Sequence, residues 1–402
     1  MKQETRYFRK GFGLKSGIQP ELRRDYHSAL VDRIQAREGL LVVHDLTLRL
    51  AVEFGFCYGV DRAVEYAYET RKKFPGRKLF IIGEIIHNPH VNRRLREMGV
   101  GFMSDAASFE EALERVRSED VVIIPAFGAT TSEMEALARI GCIRVDTTCG
   151  SVLNVWKNVD RYSREGFTSV IHGKYDHEET KATASRAISR PGSHFLIVRD
   201  MEETECVARF LANNGGASAF LDRFRPAFSP RFDPDRDLDK IGLANQTTML
   251  SSESLAIGAR LKQVYLARYG EADLREHFRS FDTICSATQD RQDAVEGLLE
   301  SGIDLMVVIG GYNSSNTNHL AEIAADRVPA FHIQDALCIE SGERIRHKPV
   351  GEQAEVTASR WLPAGPVTIG LTAGASTPNN KIGEVAERIL QCRNYRLEEA
   401  CP

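Results

Sequence analysis

"FDTICSATQDRQ", residues 281–292, has an earlier counterpart in "VDTTCGSVLNVW", residues 145–156, and a looser one in "FGFCYGVDRAVE", residues 54–65. Each sets a cysteine at the end of a strand pattern or just ahead of a helical one: Cys57, Cys149 and Cys285. Two of the three stand in the same Asp-Thr-x-Cys frame, followed by small residues. A repeat of this kind points to one architectural unit used three times.

Reading outward from each cysteine supports that division. The first round runs from "LRLAVEFGFCYGVDRAVEYAYETRKKF" through "KLFIIGEIIHN", "VVIIPAFG" and "IRVDTTCG", short β-branched runs that end in loops, with "HVNRRLREMG" and "SEMEALARIG" as helices between them. After Cys149 the strands are "TSVIHGKYDHEET", "HFLIVRD" and "KIGLANQTTML", followed by the helix "SSESLAIGARLKQVYLARYG". After Cys285 come the helix "TQDRQDAVEGLLES", then "DLMVVIGGYNSSNTNHLAEIA", "PAFHIQD" and "VTIGLTAGAST". Alternation of this kind implies parallel strands joined by crossover helices, an α/β fold whose ligands gather at the carboxyl ends of the strands. The expected division is an N-terminal extension over 1–44, α/β domains over 45–148 with Cys57 and 149–281 with Cys149, and a third over 282–402 with Cys285 and the C-terminal segment. Within the extension, "RRDYHSALVDRIQARE" reads as one helix.

The bulk numbers restrict the function class. Hydrophobic residues make up 42% and charged residues 27% of 402, and the net charge is −4, so no basic surface for nucleic acid or membrane is expected. No apolar run approaches the roughly 18 residues that span a bilayer, and the start does not resemble a signal peptide, which makes the cytoplasm the expected compartment. Thiols stay reduced there, so the eight cysteines read as small buried residues, metal ligands or catalytic groups before disulfides. None forms a C-x-x-C pair, so a metal site would draw its ligands from distant segments. Three thiolates suit zinc completed by a histidine or water, or a [4Fe-4S] cluster with one iron left open. Any one of the three taken alone is more often a small buried residue.

The loops beside the cysteines are rich in neutral donors. "GEIIHNPH" brings His87 and Asn88, "HGKYDHEET" brings His177 and Glu179, "NQTT" brings Gln246, Thr247 and Thr248, "GGYNSSNTN" brings Ser314, Ser315 and Asn316, and "TAGAST" brings Ser376. Hydroxyls, amides and imidazoles near helix N-termini suit a phosphate or diphosphate. There is no P-loop signature and no well-placed G-x-G-x-x-G. Taken singly, "NSSN" is more often a helix cap, "HEET" is equally an acidic helix start, His87 equally a strand cap, and "QTT" a polar turn. His172 reads as structural.

Together, "GFCYGVDRAV", "HNPHV", "DTTC", "HEET", "NQTT", "DTICSATQDRQ", "NSSNTN" and "TAGAST" resemble, in order over roughly residues 50 to 390, the 4-hydroxy-3-methylbut-2-enyl diphosphate reductases of the methylerythritol phosphate route to isoprenoids. The resemblance implies three similar small α/β domains in a pseudo-threefold, trefoil-like arrangement around a central [4Fe-4S] cluster with one open iron site. It makes Cys57, Cys149 and Cys285 the cluster ligands. His87, His177, Ser314, Ser315, Asn316 and Ser376 become diphosphate ligands, Glu179 the acid that delivers protons, and Thr247 part of the relay that orients the substrate hydroxyl. Many members carry a second phosphate-binding histidine in an "AHG" stretch; here "PAFGATTSE" places Phe127 there, a departure that, with the N-terminal extension, looks like the plant and cyanobacterial branch. "HEET" also lacks a proline of other members, which favours Glu179 over Glu178.

The implied reaction removes an allylic hydroxyl with two electrons and two protons, releasing water and giving isopentenyl and dimethylallyl diphosphate. A dry pocket that raises the pKa of Glu179 would serve it. With no flavin or nicotinamide motif, a separate ferredoxin or flavodoxin is the expected electron donor. Two alternatives stand beside it: a quinolinate synthase-like [4Fe-4S] dehydratase, whose carboxylate substrates call for different loops, and a non-catalytic iron–sulfur sensor or structural zinc protein, which has no use for Glu179.

Overall fold

The computed structural model describes residues 6–213, 216–281 and 284–399; Asp282 and Thr283 of the second Asp-Thr-x-Cys frame, and Cys401, lie outside the described residues. The chain divides into two compact units, one of Met1–Lys10, Gly76–Gly83 and Val100–Cys285, the other of Gly11–Pro75, Glu84–Gly99 and Ser286–Pro402.

The first unit holds two parallel sheets. One has the order Tyr7–Phe8, Ile143–Asp146, Val121–Ile124, Leu79–Ile81, Val100–Phe102. The other runs Phe278–Ser280, Ile241–Asn245, Thr168–His172, Phe195–Val198. Val121–Ile124, Thr168–His172 and Ile241–Asn245 are buried along their whole length, as parallel strands covered by helices on both faces must be. Ile257, Leu261 and Tyr265 of the long helix Ser251–His277 close the core over Val170, Leu196 and Leu243. That helix breaks at Gly270, whose φ of 75° lies in the left-handed region.

The second unit is built on one sheet in the order Ala330–Ile333, Leu305–Ile309, Val367–Ala373, Leu46–Leu50, Leu40–Val43, parallel except for the last pair. A hairpin of Arg344–His347 and Val356–Ser359 accompanies it. The strand ahead of Cys57 therefore pairs with the strand ahead of "GAST", with Leu48 beside Ile369. Among the described residues no helix is long and apolar enough to cross a membrane.

One element differs from the sequence expectation. The single helix expected across "RRDYHSALVDRIQARE" is two, Lys15–Tyr26 and Ala29–Gln35. His27 is extended, and the Ser28 side chain accepts from the Val31 amide at 3.3 Å, so a capping residue starts a new helix where the apolar periodicity ran on.

The chain changes layer at two of the cysteines, Cys149 and Cys285. After Cys149, which follows the strand Ile143–Asp146 of the first sheet, the helix Gly150–Glu165 packs on the second: Val155 and Val159 lie against Ala244, and Tyr162 donates to the Leu243 carbonyl at 2.9 Å. Gly242 permits that approach, since a Cβ there would fall 2.5 Å from the Tyr162 ring. At Cys285 the chain leaves the first unit for the second.

In the second unit His332 is buried and its Nε2–H donates to the Gly310 carbonyl at 3.1 Å, bracing the loop that leads to Ser314. Burial pushes its pKa down to about 4, against the opposing effect of the Gly310 bond and with the help of Lys348 and His347. A folded value below the unfolded one means that this contribution is complete above about pH 6.5 and is lost as pH falls toward 4. Between pH 7.5 and 5 the wild type should lose about 2 kcal/mol more stability than His332→Gln in urea titrations, since each pKa unit is about 1.4 kcal/mol; parallel pH profiles would refute the assignment.

Candidate active site

Each of the three cysteines stands immediately before a helix: Cys57 before Tyr58–Lys73, Cys149 before Gly150–Glu165, Cys285 before Ser286–Glu300. Each amide donates to the carbonyl two residues past the end of a neighbouring strand. Cys57 bonds Ala375 at 3.2 Å beyond Val367–Ala373, Cys149 bonds Ala126 at 2.9 Å beyond Val121–Ile124, and Cys285 bonds Thr247 at 3.3 Å beyond Ile241–Asn245. Cys57 and Cys149 occupy the N-cap position with extended backbone, yet neither side chain caps its helix. A serine or aspartate there would turn back on the helix amides; the thiol is instead left beside the positive end of the helix, where a thiolate is favoured. All cysteines among the described residues are unbridged.

The Asp-Thr-Thr-Cys motif sets Cys149 by local bonds. Asp146 Oδ1 accepts from the Thr148 amide at 2.9 Å and from its hydroxyl, and Thr147 Oγ1 donates back to the Ile124 carbonyl at 2.7 Å. Tyr7 adds a hydroxyl to the other Asp146 oxygen. Ser151, the second residue of the helix, donates from Oγ to Cys285 Sγ at 3.2 Å. Burial pushes the Cys149 thiol up; the amide and hydroxyl of Ser151 oppose the rise, while the charges of Cys285 and Glu179 add to it. Two sulfurs and a carboxylate so placed form a donor set that a cationic centre would relieve.

His177, Glu179 and Thr247 belong to the same unit. His177 caps the helix Glu178–Ala187, its Nδ1 accepting from the Glu179 amide at 3.1 Å. In the neutral ring that leaves Nε2 as the donor. Phe127 presents its ring to this imidazole edge-on, at 5.9 Å between centroids. Glu178 is exposed, whereas Glu179 is only 2% exposed. Glu179 accepts from the Thr247 amide at 2.6 Å and from its hydroxyl at 3.0 Å. Thr247 thus holds Glu179 with two donors and Cys285 with its carbonyl. Gln246 fixes the turn, accepting from the Lys174 amide at 3.1 Å and Thr180 Oγ1 at 3.0 Å and donating to Thr248 at 2.8 Å. Gly173 is required beneath it: a Cβ would sit 2.8 Å from Thr180 Oγ1.

In the second unit His87, Ser314, Ser315, Asn316 and Ser376 converge from three segments. Ser376 Oγ donates to the His87 carbonyl at 3.1 Å, and Asn316 Oδ1 accepts from the Ala375 amide at 2.8 Å. His87 Nδ1 lies 3.0 Å from Glu84 Oε2, which also accepts from Asn313 at 3.0 Å. Ser314 caps the helix Ser315–Ala325 and receives both the amide and the hydroxyl of Thr317, at 3.3 and 2.9 Å. Ser315 and Asn316 are each 2% exposed, and Asn316 Nδ2 is a buried donor with no partner. Such a group is costly to bury, and at a helix N-terminus it suits an anionic oxygen. Ser151, Asn313 and Thr317 carry no sequence signal beyond being small or hydroxylated residues, or an amide, crowded beside the named ones.

The model of the LytB protein family matches residues 48–390. A 4-hydroxy-3-methylbut-2-enyl diphosphate reductase of Gloeobacter violaceus is 50% identical over 97% of this chain and 94% of its own, and one from a Cyanothece species is 46% identical over 97% and 95%. The structure of the E-1-hydroxy-2-methyl-but-2-enyl-4-diphosphate reductase from Plasmodium falciparum, at 23% identity, superposes with a TM-score of 0.64 over 86% of this chain and 88% of its own, sharing the α/β fold.

The unpartnered Asn316 amide leads to a direct expectation. Asn316→Asp, isosteric but an acceptor in place of a donor, should weaken inorganic diphosphate binding at least tenfold by calorimetry, with thermal stability unchanged or raised. Equal affinity would remove Asn316 from the anion site.

Proposed function

The chain belongs to the LytB protein family, and from that membership we infer that it catalyses the reductive dehydroxylation of (E)-4-hydroxy-3-methylbut-2-enyl diphosphate to isopentenyl and dimethylallyl diphosphate, the final step of the methylerythritol phosphate pathway. The quinolinate synthase alternative loses its ground, because the family matched over residues 48–390 is LytB.

The observation that carries the mechanism is the Thr247 junction: one residue binds both oxygens of a buried carboxylate and the backbone of a cysteine ahead of a helix. We assign Cys57, Cys149 and Cys285 as ligands of a [4Fe-4S] cluster with one open iron. When bound, the cluster supplies single electrons and a Lewis-acidic position. The fit rests on the unbridged thiols and on the crowding of Cys149 with Cys285 and Glu179.

The chain's own residues do the rest. Asn316 Nδ2, the helix N-terminus at Ser315 and the hydroxyl of Ser314 serve the diphosphate as neutral donors; Ser376 joins them when its hydroxyl turns from the His87 carbonyl to the anion, and His87 and the Nε2–H of His177 are assigned to the same ligand. Glu179 holds the proton that the departing hydroxyl requires. When its Oε2 is protonated, Thr247 Oγ1 can accept at the same 3.0 Å and turn its own hydrogen toward the substrate hydroxyl, a relay that needs no rearrangement of heavy atoms. The C–O bond breaks with its electron pair on oxygen, which takes one proton and leaves as water, while two electrons supplied one at a time by the external carrier are taken up by the allyl unit. A second proton then quenches either end of that unit, giving the two products.

We propose a ferredoxin or flavodoxin as the separate electron carrier and the cytoplasm, where thiols remain reduced, as the setting. An anaerobic assay with reconstituted protein, a one-electron reductant and the allylic diphosphate should give rapid substrate-dependent oxidation of the reductant. Glu179→Gln should slow it at least a hundredfold. A protein that contains its four irons and oxidises nothing would sink the reading; full activity in the variant would remove Glu179 from proton delivery.

A further inference from the structure

Arg291, in the helix Ser286–Glu300 of the second unit, is 3% exposed. Its guanidinium donates twice to the Gly55 carbonyl, from Nε at 3.2 Å and Nη2 at 2.8 Å, and once to the Ala287 carbonyl at 2.7 Å from Nη1. Among the described residues these backbone oxygens are its hydrogen-bond partners and no carboxylate pairs with it. Gly55 lies two residues before Cys57, and Ala287 two residues after Cys285. The Gly55 carbonyl is turned by a left-handed φ of 69°, and a Cβ there would meet Asn379 Oδ1 at 2.8 Å, so the loop ahead of Cys57 has one way to lie.

A cation taken out of water without a counter-charge costs several kcal/mol, and bonds to carbonyl dipoles satisfy its protons without neutralising it. We propose that Arg291 is a positioning residue with an electrostatic role: its fork sets the loop that carries Cys57, and its charge balances the net negative charge of the bound cluster, favouring the reduced form. A cluster of core charge +2 with three thiolates is a monoanion and becomes a dianion on one-electron reduction, so a nearby fixed cation stabilises the reduced state more. The proposal rests on the assignment of Cys57 and Cys285 as cluster ligands.

The test uses full-length protein, reconstituted anaerobically as wild type, Arg291→Lys and Arg291→Gln. Iron content is measured, and the reduced fraction is followed by EPR in a potentiometric titration. At the wild-type midpoint, Arg291→Gln should show a reduced-to-oxidised ratio at least tenfold lower, equivalent to about 59 mV for one electron. Arg291→Lys should keep the wild-type midpoint, because it keeps the charge, but lose iron to a chelator faster, because it lacks the fork. A Gln variant that titrates with the wild type overturns the proposal. If that variant holds no cluster, the Lys variant decides: a wild-type midpoint with faster iron loss supports the proposal, and a displaced midpoint overturns it. A wild type that takes up no cluster overturns the cofactor assignment and this inference with it, an outcome separate from the others.

Discussion

The structure depends on one backbone bond made three times, in which the amide of a cysteine donates to a carbonyl just past the end of the neighbouring parallel strand. The bond stops each cysteine at the carboxyl edge of a sheet and starts a helix there. It also leaves each thiol beside a helix N-terminus. Parallel sheets already place their variable loops at that edge, so polar loop residues and a cysteine meet at the same edge of a sheet. At Cys149 and Cys285 the anchoring point is also where the chain passes from one α/β layer to the next.

The two units hold different sets of polar groups. In the first, a carboxylate, a threonine, a capping histidine and two cysteines share bonds, so that moving Thr247 would disturb Glu179 and Cys285 together. In the second, donors dominate: capping hydroxyls, an unsatisfied amide and a helix N-terminus, with Thr317 packed closely enough that a Cβ on Gly374 would lie 3.0 Å from its Cβ. Neutral donors suit an anion whose charge remains the same from substrate to product. Phe127 fits this division, since its ring lies against His177 where a second imidazole would otherwise be expected.

Much of this could be read from the chain. Strands with buried β-branched runs, helices between them and hydroxyl-rich loops after them are local patterns, and the strand and helix positions expected around each cysteine are those of the structure. Four things were not legible. The pairing of Leu48 with Ile369 joins segments far apart in sequence, and parallel pairing leaves no local mark of its partner. The break at His27 was hidden because apolar periodicity continues through it, although Ser28 was a capping signal. The contact of Phe127 with His177 joins two loops, where no periodicity applies. The burial of Arg291 leaves no local mark, because arginine on a helix is normally a solvated residue and its Gly55 partner belongs to another segment.

The central claim is that three cysteines hold a four-iron cluster with one iron open to substrate. Mössbauer spectroscopy of protein reconstituted with iron-57 tests it most directly. The account predicts two environments in a ratio of about three to one, with the minor component shifting when the allylic diphosphate is added. A spectrum of fully thiolate-ligated iron that ignores the substrate, or a protein that takes up zinc and no iron, would contradict it.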